Sequence, residues 1–433
     1  GVVRRKAGPD GSTTQGVGLF MSGTKNPSLR WMEFSGFQNA ALVGRNVAGF
    51  SIADSSILDA GTSVGLREGP VVFGVPGPAG VNGATGNVVF RNTSITGGVE
   101  DNVMFFNQSG ALDLVFDRTT PTPGDCTIGS NSATTGGRGL MVQMEGTATA
   151  AVTIAQCRFR NNRTTALQVT ASDDADVSLL VTGSPTDTSQ TSEFIHSQQG
   201  DTGILLTNAG NADLTATIEN SYLVGFPAAA IRFGQATGNA SDQSALHVRL
   251  VHNYIETPSY ATEASVVARL SSTVGVTSVS RLLIADNIGT GGIIQSGLPP
   301  TVVVSAQDAG TLPLVDVTYE NNHTDMNESA VGSGVRGPVG VVIQASAGSL
   351  CANVKSNISH WYPLVEPQGG GIRIEQAGSA TMALERGQGQ LTDPASSILS
   401  AANPPPSTTT MVTEALGNIA IVENGTCLLP LEQ

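Results

Sequence analysis

The sequence predicts an all-β fold, a parallel β-helix of roughly eleven coils with terminal caps, and three observations predict it. First, a pattern of alternating apolar residues, a polar pair ending in Asn or Ser, and a turn returns through 213–359. Its last inward apolar residues, Ile218, Leu250, Ile284, Tyr319 and Val354, are 32, 34, 35 and 35 residues apart. Second, each period holds two or three strands of three to five residues, too short for the four-stranded blade of a propeller but sufficient when stacked on the next coil. Third, charged residues are 13% of 433 while Gly alone numbers 52. That composition supplies turns and tolerates strands.

Residues 1–16 lack periodicity and read as an N-terminal arm or cap; their Arg4, Arg5 and Lys6 are either a solvated cluster or part of an extended strand that pairs with a neighbouring molecule. The solenoid is expected over 17–385. Its earlier markers are Phe34, Ile52, Phe90, Phe116, Ile154 and Val181, whose spacing is irregular because loops intervene, notably near 75–86 and 119–137. Such inserts leave the flank of a coil without disturbing the stack. A second strand class precedes many markers, as in Gly203 to Thr207, Ala230 to Phe233 and Gly340 to Gln344. Helical pattern is confined to 392–402, ahead of Pro404, Pro405 and Pro406. Residues 386–433 read as a C-terminal cap segment.

Three residues after each marker stand Ser221, Asn253, Asn287, Asn322 and Asn357. Asn at a bend tolerates left-handed backbone, and amides repeated at one rung spacing can bond along the stack. The Asn ladder is therefore structural rather than a row of ligands. Cys126 and Cys157 are 31 residues apart, close to one repeat, and could sit on neighbouring coils. Cys351 and Cys427 bracket the C-terminal segment and could tie it down; four buried free thiols are the alternative. No CxxC occurs, which disfavours zinc and redox motifs, and disulfides would favour an extracellular or cell-surface location.

The stretches Leu350 to Asn357 (LCANVKSN), Gly369 to Gln376 (GGGIRIEQ), Ala380 to Gly387 (ATMALERG) and Asn424 to Pro430 (NGTCLLP) resemble the terminal segment of large secreted bacterial right-handed β-helix repeat proteins of the surface-exposed, adhesin-like kind. The detailed resemblance covers about 80 residues. In that family a Cys-containing coil is followed by an Ile-Arg-Ile strand, a Leu-Glu-Gly strand and a closing Cys; here Arg386 separates Glu385 from Gly387. The resemblance implies a right-handed solenoid and says little about chemistry.

The net charge of −14, with three lysines, leaves no basic stripe for a phosphate backbone, so nucleic-acid binding is excluded, and no apolar run approaches the ~20 residues of a membrane span. No leader precedes the first strand pattern, so a secretion signal, if one existed, lies outside the sequence. β-helices include polysaccharide lyases and glycosidases, and the densest acidic cluster, Asp173, Asp174 and Asp176, is the one candidate for a metal; Glu100 and Asp101 form a weaker one. Neither has calcium-loop spacing, and both read as solvated turns. Among His196, His247, His252, His323 and His360 no triad is legible, and no catalytic residue, cofactor or metal ligand is assigned. Trp31 and Trp361 lie near the first and last coils and read as end contacts before sugar platforms. Eight N-x-Ser/Thr sequons, at Asn92, Asn107, Asn162, Asn239, Asn322, Asn327, Asn357 and Asn424, are what a Ser/Thr/Asn-rich chain generates by chance.

The expected function is a non-catalytic extracellular structural protein, a cell-surface rod or a filament subunit self-associating end to end. A solenoid's ends expose unpaired strand edges, and lysines that would protect them are scarce. The alternatives are a polysaccharide-degrading β-helix enzyme or tailspike and a passive adhesin for surface glycans.

Overall fold

The computed structural model describes all residues except 64–65, 67, 78–79, 120–125, 130–136, 185–190, 197–201, 237–242, 259–262, 272–277, 288–293, 297–300, 308–312, 328–338, 363–367, 370, 388–389, 391, 404–411 and 431–433. It is a parallel β solenoid divided into two compact units, Gly1–Leu206 and Thr207–Gln433.

In the first unit each coil lays one strand on each of three faces. The first face stacks Val17–Ser22, Ala40–Arg45, Gly69–Phe73, Val103–Asn107, Leu140–Met144 and Thr165–Ala171 in parallel register. The second holds Ser28–Arg30, the leading halves of Val47–Ala60 and Ala84–Thr96, then Ala111–Asp117, Thr149–Ala155 and Asp176–Thr182. The third begins with Val2–Lys6 on Glu33–Phe37 and ends with Ser192–Ile195 on Arg158–Arg160. The basic N-terminal stretch is thus a rung of the stack as well as a lead-in to it.

Marker residues align despite their uneven spacing. Ile52, Phe90, Phe116, Ile154 and Val181 form one register column, all 0% exposed. Parallel stacking selects for equal register, so extra length is pushed into corners. Phe34 is corrected: it pairs with Ile57 on the third face, and Leu29 fills the marker position opposite Ile52. Stacked rings fill this part of the core, with Phe90 and Phe116 centroids 4.7 Å apart and Phe159 and Phe194 4.6 Å apart.

The second unit repeats the plan. Its second face stacks Asp213–Glu219, Ala245–Val251, Val279–Ala285, Leu314–Glu320, Ser349–Lys355, Thr381–Glu385 and Ile419–Val422. Ile218, Leu250, Ile284, Tyr319 and Val354 are in register within it, each at most 2% exposed. The first face runs from Ala229–Ala236 to Val412–Leu416. Solenoid strands therefore continue past residue 385 into the C-terminal cap segment. Among the described residues the helix is Ala395–Ala402, inside the predicted 392–402, and it buries Ile398 and Leu399. Of the two expected inserts, 75–86 contains an antiparallel bridge between Val75 and Val81 and then joins the next strand at Ala84. Most of 119–137 lies outside the described residues, but its Thr127–Gly129 is a rung.

Candidate functional site

Three constructions carry the polar chemistry of the chain: a buried column at the bend between the second and third faces, a polar row on the outside of the second unit, and a groove beside the first coil.

The column is the Asn ladder. The side-chain oxygens of Asn253, Asn287, Asn322 and Asn357 accept the backbone N–H of Ser221, Asn253, Asn287 and Asn322, one coil earlier, at 3.1, 2.8, 3.3 and 3.0 Å. Their amide nitrogens donate to the carbonyls of Ile218, Leu250, Ile284 and Tyr319 at 2.8, 3.2, 2.8 and 2.8 Å. Each Asn thus satisfies a donor and an acceptor that the bend removes from the ladder, in a site from which water is excluded. The left-handed residue is a different one from that expected. Asn220, His252, Asp286, Asn321 and Ser356, each one position before the ladder residue, have φ of 48, 57, 55, 51 and 56°. Asn403, just after the helix, closes the column by accepting from Asn357 N–H at 3.0 Å and donating to Val354 at 3.0 Å. Its distance of 46 residues from Asn357 takes it off the repeat period, which hid it in the sequence.

In the first unit the same bend carries Ser55 and Thr93 in register, then Cys126, Cys157 and Ser192, which directly precede paired rungs. Ser55, Thr93 and Ser192 return their hydroxyls to local carbonyls at 2.6, 2.9 and 2.7 Å. Cys126 and Cys157 are disulfide-bonded, with Cα atoms 5.0 Å apart, about one rung spacing. The cross-link occupies two successive places in the polar column. Cys351 and Cys427 form the second disulfide, Cα to Cα 5.3 Å.

The outer row occupies the position three residues before each marker: Thr215, His247, Arg281, Asp316 and Cys351 are neighbours across successive coils. That offset recurs in the sequence at the same period as the inward and bend positions. Facing out, these side chains would ordinarily be wet. Yet His247 is 8% exposed, and the side chains of Arg281 and Asp316 are 23% and 17% exposed. The chain after the last rung turns back to the Cys351 end of this row. Cys427 N–H donates to Glu385 Oε1 at 2.8 Å, and Cys427 is bonded to Cys351. Burial pushes the Asp316 carboxyl above its ordinary range against the opposing pull of Leu428 N–H and Arg281. Burial, then Arg281, pushes His247 down.

The groove, about 670 Å³, is lined by Trp31, Glu33, Asp54, Asn92 and Ser94 among others. Trp31 is 67% exposed with φ of 53°, and the Arg30 guanidinium lies 4.4 Å from its ring centroid.

The remaining candidates do not converge. Asp173 is a left-handed turn residue whose carboxylate accepts Gly146 N–H at 3.1 Å, and no group of three metal-ligating side chains occurs among the described residues. Asp101 is held by Arg138 through Nε at 2.8 Å and Nη2 at 2.9 Å. His252 sits exposed at its bend and His323 begins a strand. The side chains of His360 and Trp361 lie outside the described residues. Of the sequon asparagines, Asn92, Asn107, Asn162, Asn322 and Asn357 are buried, Asn424 is exposed, and Asn239 and the Asn327 side chain lie outside the described residues. No described helix is long and apolar enough to cross a membrane.

His196 is 4% exposed, and burial pushes its imidazole from 6.5 down to about 4. Because the folded value is depressed, this contribution to stability is present above pH 6.5 and is lost as the pH falls through about 4. The shift corresponds to about 3 kcal/mol. Urea unfolding at pH 7 and pH 4 is expected to show that loss, and His196→Leu to reduce the difference by about the same amount; His247 contributes with the same sign. An unchanged pH 7 to pH 4 difference in His196→Leu removes His196 as its source.

No known family model, curated protein sequence or solved structure matches this chain.

Proposed function

We propose that this protein is a non-catalytic structural solenoid of the extracellular space or cell surface, of the secreted bacterial β-helix repeat kind, which self-associates by adding coils end to end. The observation that carries the reading is the edge of the first coil. Val2–Lys6, Val17–Ser22 and Ser28–Arg30 each have a ladder partner on one side only among the described residues. Val412–Leu416 and Ile419–Val422 are likewise single-sided in the last coil. Unpaired edges template further strands. Charge supports the match: residues 1–30 hold five basic side chains against one acidic, whereas 412–433 hold three acidic and no basic. A first coil meeting a last coil is a heterologous contact, which either closes into a ring or grows as a fibre. The two disulfides support an oxidising compartment.

Negative-stain microscopy and sedimentation across concentration test this reading. Oligomers that dissociate as salt rises are expected, and Arg4→Glu/Arg5→Glu/Lys6→Glu should shift the association constant down at least tenfold. Monodisperse monomers at the highest attainable concentration would sink the proposal.

A second reading, a passive glycan-binding adhesin, is favoured by Trp31. A bulky residue in left-handed backbone costs about 1–3 kcal/mol, and an exposed indole beside carboxylates, an amide and hydroxyls is a stacking platform for a sugar ring.

A further inference from the structure

We propose that His247 and Arg281 form a binding site for a carboxylate group on the outer face of the second unit, bordered by the disulfide-held segment 423–430.

The argument begins with hydrogen-bond accounting. His247 is 8% exposed, and its Nδ1 is buried with no hydrogen-bond partner. Arg281 stands directly opposite it on the next coil, and its Nε is likewise buried and unbonded. Asp316 Oδ2 is ion-paired with that Nε at 3.8 Å, beyond hydrogen-bond range. Two polar groups left unbonded at neighbouring positions are costly to a fold, and native structures rarely keep them without a use.

The segment 423–430 is pinned beside this row by Cys351–Cys427 and by Cys427 N–H on Glu385. Pro430, the last described residue of the segment, is buried.

The chemistry selects the ligand. A guanidinium presents paired donors that match a carboxylate. Burial and Arg281 keep the neighbouring imidazole neutral, so it offers one N–H donor rather than a competing charge. Among the acidic groups on this face, Glu385 accepts the Cys427 N–H and Glu320 is paired with Lys355, which lowers their repulsion of an incoming anion. The Arg281 side chain, 23% exposed, is the mouth of the site. Carboxylates of an acidic sugar and of a peptide share this chemistry. The site does not depend on end-to-end association.

The test is a titration of the whole oxidised chain with sodium glucuronate and, separately, N-acetylglycine, read by the His247 imidazole resonances. Saturable shifts are expected with at least one probe, together with a rise in the His247 pKa, because a bound carboxylate favours the imidazolium. Arg281→Gln should weaken binding at least tenfold, with Arg281→Lys recovering part of it. Glucuronate alone identifies a sugar acid, N-acetylglycine alone a peptide carboxylate, and both the carboxylate itself. Absence of His247 shifts with either probe, or shifts equal in Arg281→Gln, would overturn the proposal. Thermal unfolding of each variant separates loss of binding from loss of fold.

Discussion

Replacing Asn322 with alanine is expected to destabilise the second unit by about 4 kcal/mol. The side chain accepts the Asn287 backbone N–H at 3.3 Å and its amide at 2.7 Å, and donates to Ile284 at 2.8 Å. Its removal leaves the Asn287 N–H and the Ile284 carbonyl buried and unbonded, and each such group costs about 1–3 kcal/mol. Leucine has the same branching and the same number of side-chain heavy atoms as asparagine, without its donors and acceptor. Asn322→Leu should therefore lose a similar amount, which separates the hydrogen bonds from the cavity. Urea unfolding followed by tryptophan fluorescence and circular dichroism measures both. Because coils interact with their neighbours, amide exchange should accelerate first at Asn287 and Asn357, the adjoining rungs. A loss below about 1 kcal/mol in both variants would mean that the ladder only decorates the bend.

The second large effect is expected at Cys126 and Cys157. Their separation of 31 residues gives a cross-link contribution of about 4 kcal/mol through restriction of the unfolded chain. Cys126→Thr/Cys157→Ser is the informative variant. Thr93 and Ser192 hold the adjoining positions of that column and bond local carbonyls at 2.9 and 2.7 Å, so the replacements restore polar partners while deleting the link. The midpoint of urea unfolding should fall with the slope changed only by the more expanded unfolded state. Retention of the wild-type midpoint would show that stacking alone fixes these two coils.

Much of this was legible in the residues. The column from Ile218 to Val354 was readable because a solenoid imposes one register on every coil, and the inward position must be apolar in each. The Asn column was readable for the same reason, and so was the contrast with a propeller. Phe34 was misplaced because a strand of alternating residues offers several inward positions, and only pairing shows which column each joins. The left-handed residue was misassigned by one position because Asn suits both a left-handed bend and a buried amide ladder. Here Asn220 and Asn321 do the first, while Asn253 and Asn322 do the second.

The carboxylate site was hidden differently. His247, Arg281 and Asp316 share one offset from their markers, yet an outward offset normally means solvent, so the alignment carried no message. It gained one only through their burial and through 423–430, whose path back to Cys351 depends on a disulfide spanning 76 residues and on the Cys427 N–H reaching Glu385.

The sequence by itself determined the repeat, the parallel stacking and the inward and bend columns, because these are local patterns repeated at one period and judged by burial alone. Only the tertiary structure decided which outward residues are dry, which donors lack partners, that Asn403 ends the ladder, and where the first and last coils expose their edges. Those properties belong to pairs of segments distant in the chain, and no period links them.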